Sequence, residues 1–256
     1  MMNKLFNRVP EITLFFWVIK IMATTVGETA ADFLSFTMRL GLVNTSYVMS
    51  GLLLLALLIQ FKFKRYIPVA YWLVVVLVSV VGTLITDNLV DNFHVSLVTI
   101  TTLFSIGLAA VFALWHANEK TLSIHSIYST KRESFYWAAI LFTFALGTAA
   151  GDLVAEHLGL GYAISALIFG AIIAVITLAY YRFKLNAVLA FWMAYILTRP
   201  FGASIGDLLS QPVAAGGLGL GTVVTSGVFL LTISGLIAYL TIQQNKFALT
   251  CQIKNE

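Results

Sequence analysis

Carboxylates recur at fixed positions within the most apolar stretches of this sequence. An aspartate follows a glycine by five residues in each of four stretches, and further acids stand four residues from these aspartates. The recurring acids are Asp32, Asp87, Asp152, Asp207, Glu28, Asp91 and Glu156, which include all five aspartates and seven of the eleven acids of the chain. Carboxylate oxygens bind hard cations and take up protons, so these positions predict cation or proton chemistry.

Helical spacing would bring these acids together in pairs. Each residue of an unbroken helix turns about 100°, so residues four apart share one face. Such pairs repel each other when both members are ionised, and ionised carboxylates are costly in lipid. We therefore expect them to face a bundle interior or an aqueous cavity. The pairs are Glu28 with Asp32, Asp87 with Asp91, and Asp152 with Glu156, whereas the fourth stretch has only Gln211 beside Asp207.

One basic residue, Arg199, stands among these acids and is followed by Pro200. On a helix it lies on nearly the same face as Asp207. A lone cation among acids predicts an internal counter-ion, with snorkelling to water as the alternative. For Lys20 we expect snorkelling to the membrane interface. The other three stretches have Thr24, Ser79 and Phe144 at the position of Arg199.

The acids belong to a motif that occurs four times: aromatic residue, Trp, nine residues, Gly, four residues, Asp. The tryptophans are Trp17, Trp72, Trp137 and Trp192, and the glycines are Gly27, Gly82, Gly147 and Gly202. Successive glycines are 55, 65 and 55 residues apart. This spacing indicates a 55-residue unit that was duplicated twice, with about ten extra residues in the central connection.

Composition predicts an all-α integral membrane protein. Sixty per cent of the residues are hydrophobic, ten per cent are charged, and the mean hydropathy is +0.94. A soluble domain would carry about a quarter charged residues. The apolar runs are long enough to cross a bilayer as helices. The eight predicted spans are about Glu11–Thr37, Tyr47–Phe61, Pro68–Asp91, Val95–Trp115, Ser134–Leu158, Tyr162–Tyr181, Leu185–Gln211 and Leu220–Ile242.

A polar linker at 116–133 divides the chain into residues 1–120, with repeats 1 and 2, and residues 121–256, with repeats 3 and 4. Twelve of the fifteen Lys and Arg residues lie in the two terminal segments and in the loops after even-numbered spans. The positive-inside rule then places both termini and the linker in the cytoplasm. The four motif helices would run parallel, as four repeats around a pseudo-fourfold axis along the membrane normal.

The motif resembles that of bacterial membrane proteins built from four tandem copies of a two-span repeat of unknown function with a characteristic tryptophan. The resemblance covers nearly the whole chain and implies a multi-pass protein of the bacterial inner membrane. It transfers no catalytic or transport residue to this sequence.

Each conspicuous residue type also has a structural interpretation. Asp32 would lie about 22 Å beyond Trp17 along a helix, so the acids could cap helix ends at the outer surface. Close helix packing is the expected role of the motif glycines. The tryptophans are expected to act chiefly as interfacial anchors on the cytoplasmic side. The even-numbered spans carry no charge and are expected to form the lipid-facing wall.

Two functional classes remain. The first is a transporter or channel whose central carboxylates bind a cation, either a divalent metal, a proton, or both in a coupled exchange. The four motif aspartates are then tentative metal ligands, and a divalent cation would be a substrate rather than a cofactor. The second is a membrane scaffold that binds a partner or lipid.

No nucleophile–base set is present, so no enzymatic activity is expected. The lipid bilayer is the expected partner, homo-oligomers are left open, and no nucleic acid is expected.

Overall fold

The computed structural model describes residues 7–253, with side chains up to Gln244 and for Lys246. Within this range the chain folds into eight long helices joined by short connections. The helices are α1 (Leu14–Asp32), α2 (Leu42–Lys62), α3 (Pro68–Asp87), α4 (Leu97–Glu119), α5 (Thr130–Asp152), α6 (Tyr162–Phe183), α7 (Ala187–Ser210) and α8 (Thr222–Ile253). All eight are long and apolar enough to cross a membrane, which is typical of a multi-pass membrane protein.

Local sequence signals explain where several of these helices begin. The hydroxyl oxygen of Thr13 accepts a hydrogen bond from the backbone of Phe16 at the start of α1. Ser129 and Asn186 cap α5 and α7 in the same way, and Pro68 occupies the first turn of α3. The central linker is shorter than predicted, because α4 continues to Glu119 and α5 already begins at Thr130.

Helices α1, α3, α5 and α7, here called the inner helices, contain the four motifs. They pack in a closed cycle, in which α1 contacts α3, α3 contacts α5, α5 contacts α7, and α7 contacts α1. In the most apolar stretch of each inner helix, 56–72% of the residues are buried. The core of the protein therefore lies along the middle of this four-helix cycle.

Helices α2, α4, α6 and α8, the outer helices, cover the cycle from outside. Each packs mainly on the inner helix of the next repeat: α2 on α3, α4 on α5, α6 on α7, and α8 on α1. Only 11–28% of the residues in their apolar stretches are buried. This exposed apolar surface is what a lipid-facing wall requires, and it agrees with the lack of charge in the even-numbered spans.

The motif glycines are the points of closest approach between inner helices. A Cβ atom added at any of the four would lie 1.7–2.7 Å from a side-chain atom of the next inner helix, which is too close. In every repeat the neighbour is the residue seven positions after the motif tryptophan. The pairs are Gly27 with Ser79, Gly82 with Phe144, Gly147 with Arg199, and Gly202 with Thr24. The predicted packing role of the glycines is thus confirmed, and the last pair closes the cycle.

Three inner helices end in a wider, π-helical turn directly after the motif aspartate. These turns are Phe33–Thr37, Asn88–Asn92 and Leu153–His157, whereas α7 has no such turn. The expectation of one unbroken helix through both acids is therefore wrong for Asp87/Asp91 and Asp152/Glu156. The wider turn changes the helical angle, and the side chains of Asp91 and Glu156 are exposed.

The ends of the inner helices that carry the tryptophans, here called the tryptophan end, are closed by irregular chain. The segment 7–10 and the linker lie against each other there, with the backbone N–H of Arg8 donating to the carbonyl of Ile127 at 2.9 Å. Asn7 bonds to the backbone of both Ile124 and Ile127 at 3.1 and 3.0 Å. Val9 and the two isoleucines are buried in the core.

The motif tryptophans are part of this closure, so the expectation of interfacial anchors is wrong for three of them. Trp72, Trp137 and Trp192 are buried, and Trp17 is half-buried. Their indole N–H groups find partners inside the protein rather than at a membrane surface. The acceptors are Tyr66 Oη for Trp72 (3.0 Å), Glu133 Oε1 for Trp137 (3.3 Å) and the carbonyl of Leu122 for Trp192 (2.9 Å).

Burial raises the pKa of the Tyr66 hydroxyl well above its usual value. The neutral Tyr66 hydroxyl is the acceptor of the indole N–H of Trp72.

Candidate functional site

The inner helices meet at four residues, Glu28, Thr83, Thr148 and Arg199, here called the central cluster. The first three occupy the same repeat position, one residue after the motif glycine, on α1, α3 and α5. Arg199 extends to them from α7, because its backbone lies one turn nearer to the tryptophan end. The fourth repeat has Ala203 at the shared position, and this small side chain leaves room for the guanidinium group.

One nitrogen of Arg199 makes every side-chain hydrogen bond of the guanidinium group that the structure describes. Nη2 donates to Glu28 Oε2 at 2.9 Å, to Thr148 Oγ1 at 2.7 Å, and to Thr83 Oγ1. Arg199 is completely buried and Glu28 nearly so. The predicted role of Arg199 as an internal counter-ion is confirmed, with Glu28 rather than an aspartate as its direct partner.

The motif aspartates lie one helical turn beyond the central cluster, at what we call the aspartate end. Asp207 is buried, while Asp32, Asp87 and Asp152 are half-buried. Glu28 is close enough to all four for electrostatic repulsion between carboxylates, and Asp32 is close enough to the other three aspartates. The amide of Gln211 donates to Asp32 Oδ2 at 3.2 Å, which connects the fourth repeat back to the first.

The remaining predicted acids are at the rim of this end. Glu156 is exposed and accepts a hydrogen bond from the Tyr162 hydroxyl at 3.1 Å. Asp91 is exposed as well, and both acids act electrostatically on Asp32. The acids of the motif therefore form a graded series from the exposed rim to the buried centre.

Among the side chains that the structure describes, no three His, Cys, Asp or Glu residues lie close enough to hold a metal ion together. The four aspartates would have to approach each other more closely to act as joint metal ligands. Their role as metal ligands stays a prediction.

Lys20 does not reach the membrane interface, contrary to the expectation. It is completely buried, and its Nζ donates to the carbonyl of Tyr195 at 3.1 Å. The ammonium group also lies 4.2 Å from the ring centroid of Tyr195 and 4.7 Å from that of Phe144. The ring faces and the carbonyl take the place of solvent around the buried ammonium group.

Reasoning from sequence missed two features, one in this site and one at the tryptophan end. Thr83 and Thr148 were not among the predicted binding residues, although their position relative to the glycines matches that of Glu28. A second buried ion pair, Arg8 with Glu133 at 2.6 Å, lies at the tryptophan end. No sequence signal pointed to it, because both residues lie in polar segments without a repeated motif.

Comparison with known families identifies the repeat. The profile of a family described as a Repeat of Unknown Function (DUF347) matches residues 15–66, 70–121, 135–186 and 190–246. The chain belongs to this family. Each match begins two residues before a motif tryptophan and contains one inner and one outer helix, so the four tandem repeats are confirmed. Searches of curated proteins and of solved structures found no match to the chain.

Proposed function

We propose that the protein is a membrane transporter for a cation, with the path running along the middle of the inner helices. The observation that supports this most is the central cluster, where side chains from all four repeats meet at one buried charged group, the guanidinium of Arg199. Intramembrane ionisable groups are costly and typically mark an ion path or proton relay. A purely structural bundle would be more stable with apolar residues at these positions.

The charge distribution along this axis favours a cation over an anion. The aspartate end carries Asp32, Asp87, Asp152 and Asp207, and the rim adds Asp91 and Glu156. Such a mouth attracts cations and repels anions from solution. Arg199 lies further inside, where its positive charge is paired with Glu28. The substrate is therefore a proton or a hard cation that carboxylates can bind, with proton-coupled exchange as the mechanism we favour.

The closed tryptophan end favours a carrier or a gated path over an open channel. Beyond Lys20 the hydroxyls of Tyr71 and Tyr136 are 2.5 Å apart, and both rings are completely buried. Segment 7–10 and the linker cover this layer. Conduction would require these elements to move, as expected for alternating access.

The proposed orientation places both termini, the linker and the tryptophan end in the cytoplasm. The basic loops that follow the outer helices α2, α4 and α6 are at this end, which agrees with the positive-inside rule. The glycine pairs repeat around the cycle, so we further propose a pseudo-fourfold axis along the membrane normal.

The test is cation flux in proteoliposomes that contain the purified protein. The panel includes protons, Na⁺, Mg²⁺, Mn²⁺ and Ca²⁺, and the variants are Asp87→Asn and Asp152→Asn. Both variants should lower flux strongly, because each removes a carboxylate from the path. The control is Glu119→Gln, which lies off the path in ion pairs with Arg132 and Lys131. Absence of flux for every cation would favour the alternative function, a scaffold that binds a partner or lipid.

A further inference from the structure

The surroundings of Arg199 Nη2 resemble the ligand shell of a metal cation. Three oxygen atoms surround this nitrogen, and each comes from a different repeat: Glu28 Oε2, Thr83 Oγ1 and Thr148 Oγ1. A carboxylate and two hydroxyls form a set of hard donors, which is what alkali and alkaline-earth cations prefer.

The two hydroxyl groups can both accept hydrogen bonds at the axis. Thr83 Oγ1 has the carbonyl oxygen of Ser79 at 3.2 Å, and Thr148 Oγ1 has that of Phe144 at 3.3 Å. Each threonine can donate its single proton to this carbonyl of its own helix, which leaves its lone pairs free to accept at the axis. The alternative acceptor for Thr83 is Glu28 Oε2, which is more distant at 3.5 Å. A cation at the position of Nη2 would then meet three oxygen lone pairs without any reorientation of the threonines.

Arg199 is held at this position by only one part of its guanidinium group. Among the described residues, Nε and Nη1 have no hydrogen-bond partner, although both are buried. Unpaired buried donors are unfavourable, and they weaken the net preference of Arg199 for this place. A competing cation therefore faces an occupant whose hydrogen bonding is incomplete.

We propose that Arg199 Nη2 occupies a binding site for a monovalent alkali cation, formed by Glu28, Thr83 and Thr148, and that the transported ion competes with Arg199 for it. This inference rests on the proposed function and names its substrate class. The site has one carboxylate, so its single negative charge matches one monovalent ion when Arg199 moves away. A divalent ion would leave an uncompensated positive charge in the core.

A second buried arginine–glutamate pair offers a matched control. Arg8 contacts Glu133 at 2.6 Å, and both residues are buried like Arg199 and Glu28. The other oxygen of Glu133 accepts from Gln60 Nε2 at 3.0 Å and from Trp137 Nε1 at 3.3 Å. Arg8 Nη1 has one hydroxyl neighbour, Thr130 Oγ1 at 3.3 Å, whereas Arg199 Nη2 has two. The other oxygen of Glu133 is already bonded to N–H donors, so removal of Arg8 should not create a comparable cation site.

The experiment measures thermal unfolding of purified protein in detergent as Na⁺ replaces choline at constant pH and ionic strength. Ligands that bind the native state raise its stability according to their affinity. Arg199→Gln should bind Na⁺ at least about tenfold more tightly than the wild type, because a positive charge at the site is removed. Arg199→Lys keeps this charge and should show no gain, and neither should the double variant Glu28→Gln/Arg199→Gln or the control Arg8→Gln.

The outcomes separate this inference from the proposed function. If the wild type transports cations but folded Arg199→Gln gains no Na⁺ affinity, the proposed alkali-cation site is wrong and the transport function still stands. An equal gain in Arg8→Gln would also overturn the site. If Arg199→Gln does not fold, flux of Na⁺ through Thr83→Val/Thr148→Val decides, because loss of both hydroxyl ligands should lower it at least about tenfold. Unchanged flux in that variant overturns the site.

Discussion

Arg199 Nη2 lies 2.9 Å from Glu28 Oε2, although 171 positions separate the two residues in the chain. The contact joins the first repeat to the last one and lies at the level where all inner helices converge. It also distinguishes the repeats from each other, because no other copy has either residue at the corresponding position. The four repeats therefore differ in sequence at the place where the proposed cation site lies.

This ion pair predicts a strong coupling between its two residues. Glu28→Gln leaves the buried guanidinium without a counter-ion, so the free energy of unfolding should fall by about 3–5 kcal/mol. Replacing both residues, as in Glu28→Gln/Arg199→Gln, should cost less than the sum of the single changes. Unfolding of the four proteins in detergent provides the double-mutant cycle. Additive losses would show that the two side chains do not form a pair.

The glycine contacts predict a position-specific effect of adding one methyl group. A Cβ at Gly82 would lie 2.7 Å from Phe144 Cβ and 3.1 Å from the backbone nitrogen of Ala145, so neither helix can yield easily. Gly82→Ala should reduce stability by about 1–3 kcal/mol through overpacking. Gly51→Ala in α2 is the control, because nothing lies within 4 Å of its added Cβ. Equal melting temperatures for Gly82→Ala and the wild type would contradict this packing.

The fold was largely predictable from sequence, because the same motif spacing occurs in four copies and each copy constrains the position of one helix. A constant distance between tryptophan, glycine and aspartate requires equivalent helices, and equivalent helices need equivalent neighbours. The glycine contacts follow from this argument, and so does the inward position of Arg199. Single sequence positions contain less information: Lys20 appeared free to reach the interface, but α1 places it against Tyr195 and Phe144.

The parts that could not be predicted depend on irregular chain. The π-helical turns after Asp32, Asp87 and Asp152 contain no proline or glycine, so the sequence has no signal that predicts them. The closure of the tryptophan end relies on Asn7 and Ile127, which are far apart in sequence and belong to no motif. For this reason the sequence predicts all four tryptophans at a membrane surface, whereas Trp72, Trp137 and Trp192 are buried inside the protein.

Replacement of the buried Lys20 should affect both the stability of the protein and its cation flux. In the part of the chain that the structure describes, its ammonium group contacts a carbonyl and two aromatic rings but forms no ion pair. Lys20→Met retains the length of the side chain and removes an unpaired buried charge, so the melting temperature should rise by several degrees. Cation flux should change as well, because a positive charge along the path is lost. A lower melting temperature would indicate that the charge of Lys20 is compensated in the folded protein.

The proposed orientation can be tested by cysteine labelling in intact cells. The background is Cys251→Ser, and single cysteines replace the exposed residues His125, in the linker, and His94, beyond the aspartate end of α3. Ser126 in the linker is a less suitable position, because it is half-buried and its hydroxyl donates to the carbonyl of Ser123. A membrane-impermeant maleimide should label His94→Cys and leave His125→Cys unlabelled until the cells are lysed. If His125→Cys reacts in intact cells and His94→Cys does not, the tryptophan end faces outward. The acidic mouth would then open to the cytoplasm, and the proposed direction of the cation path would have to be reversed.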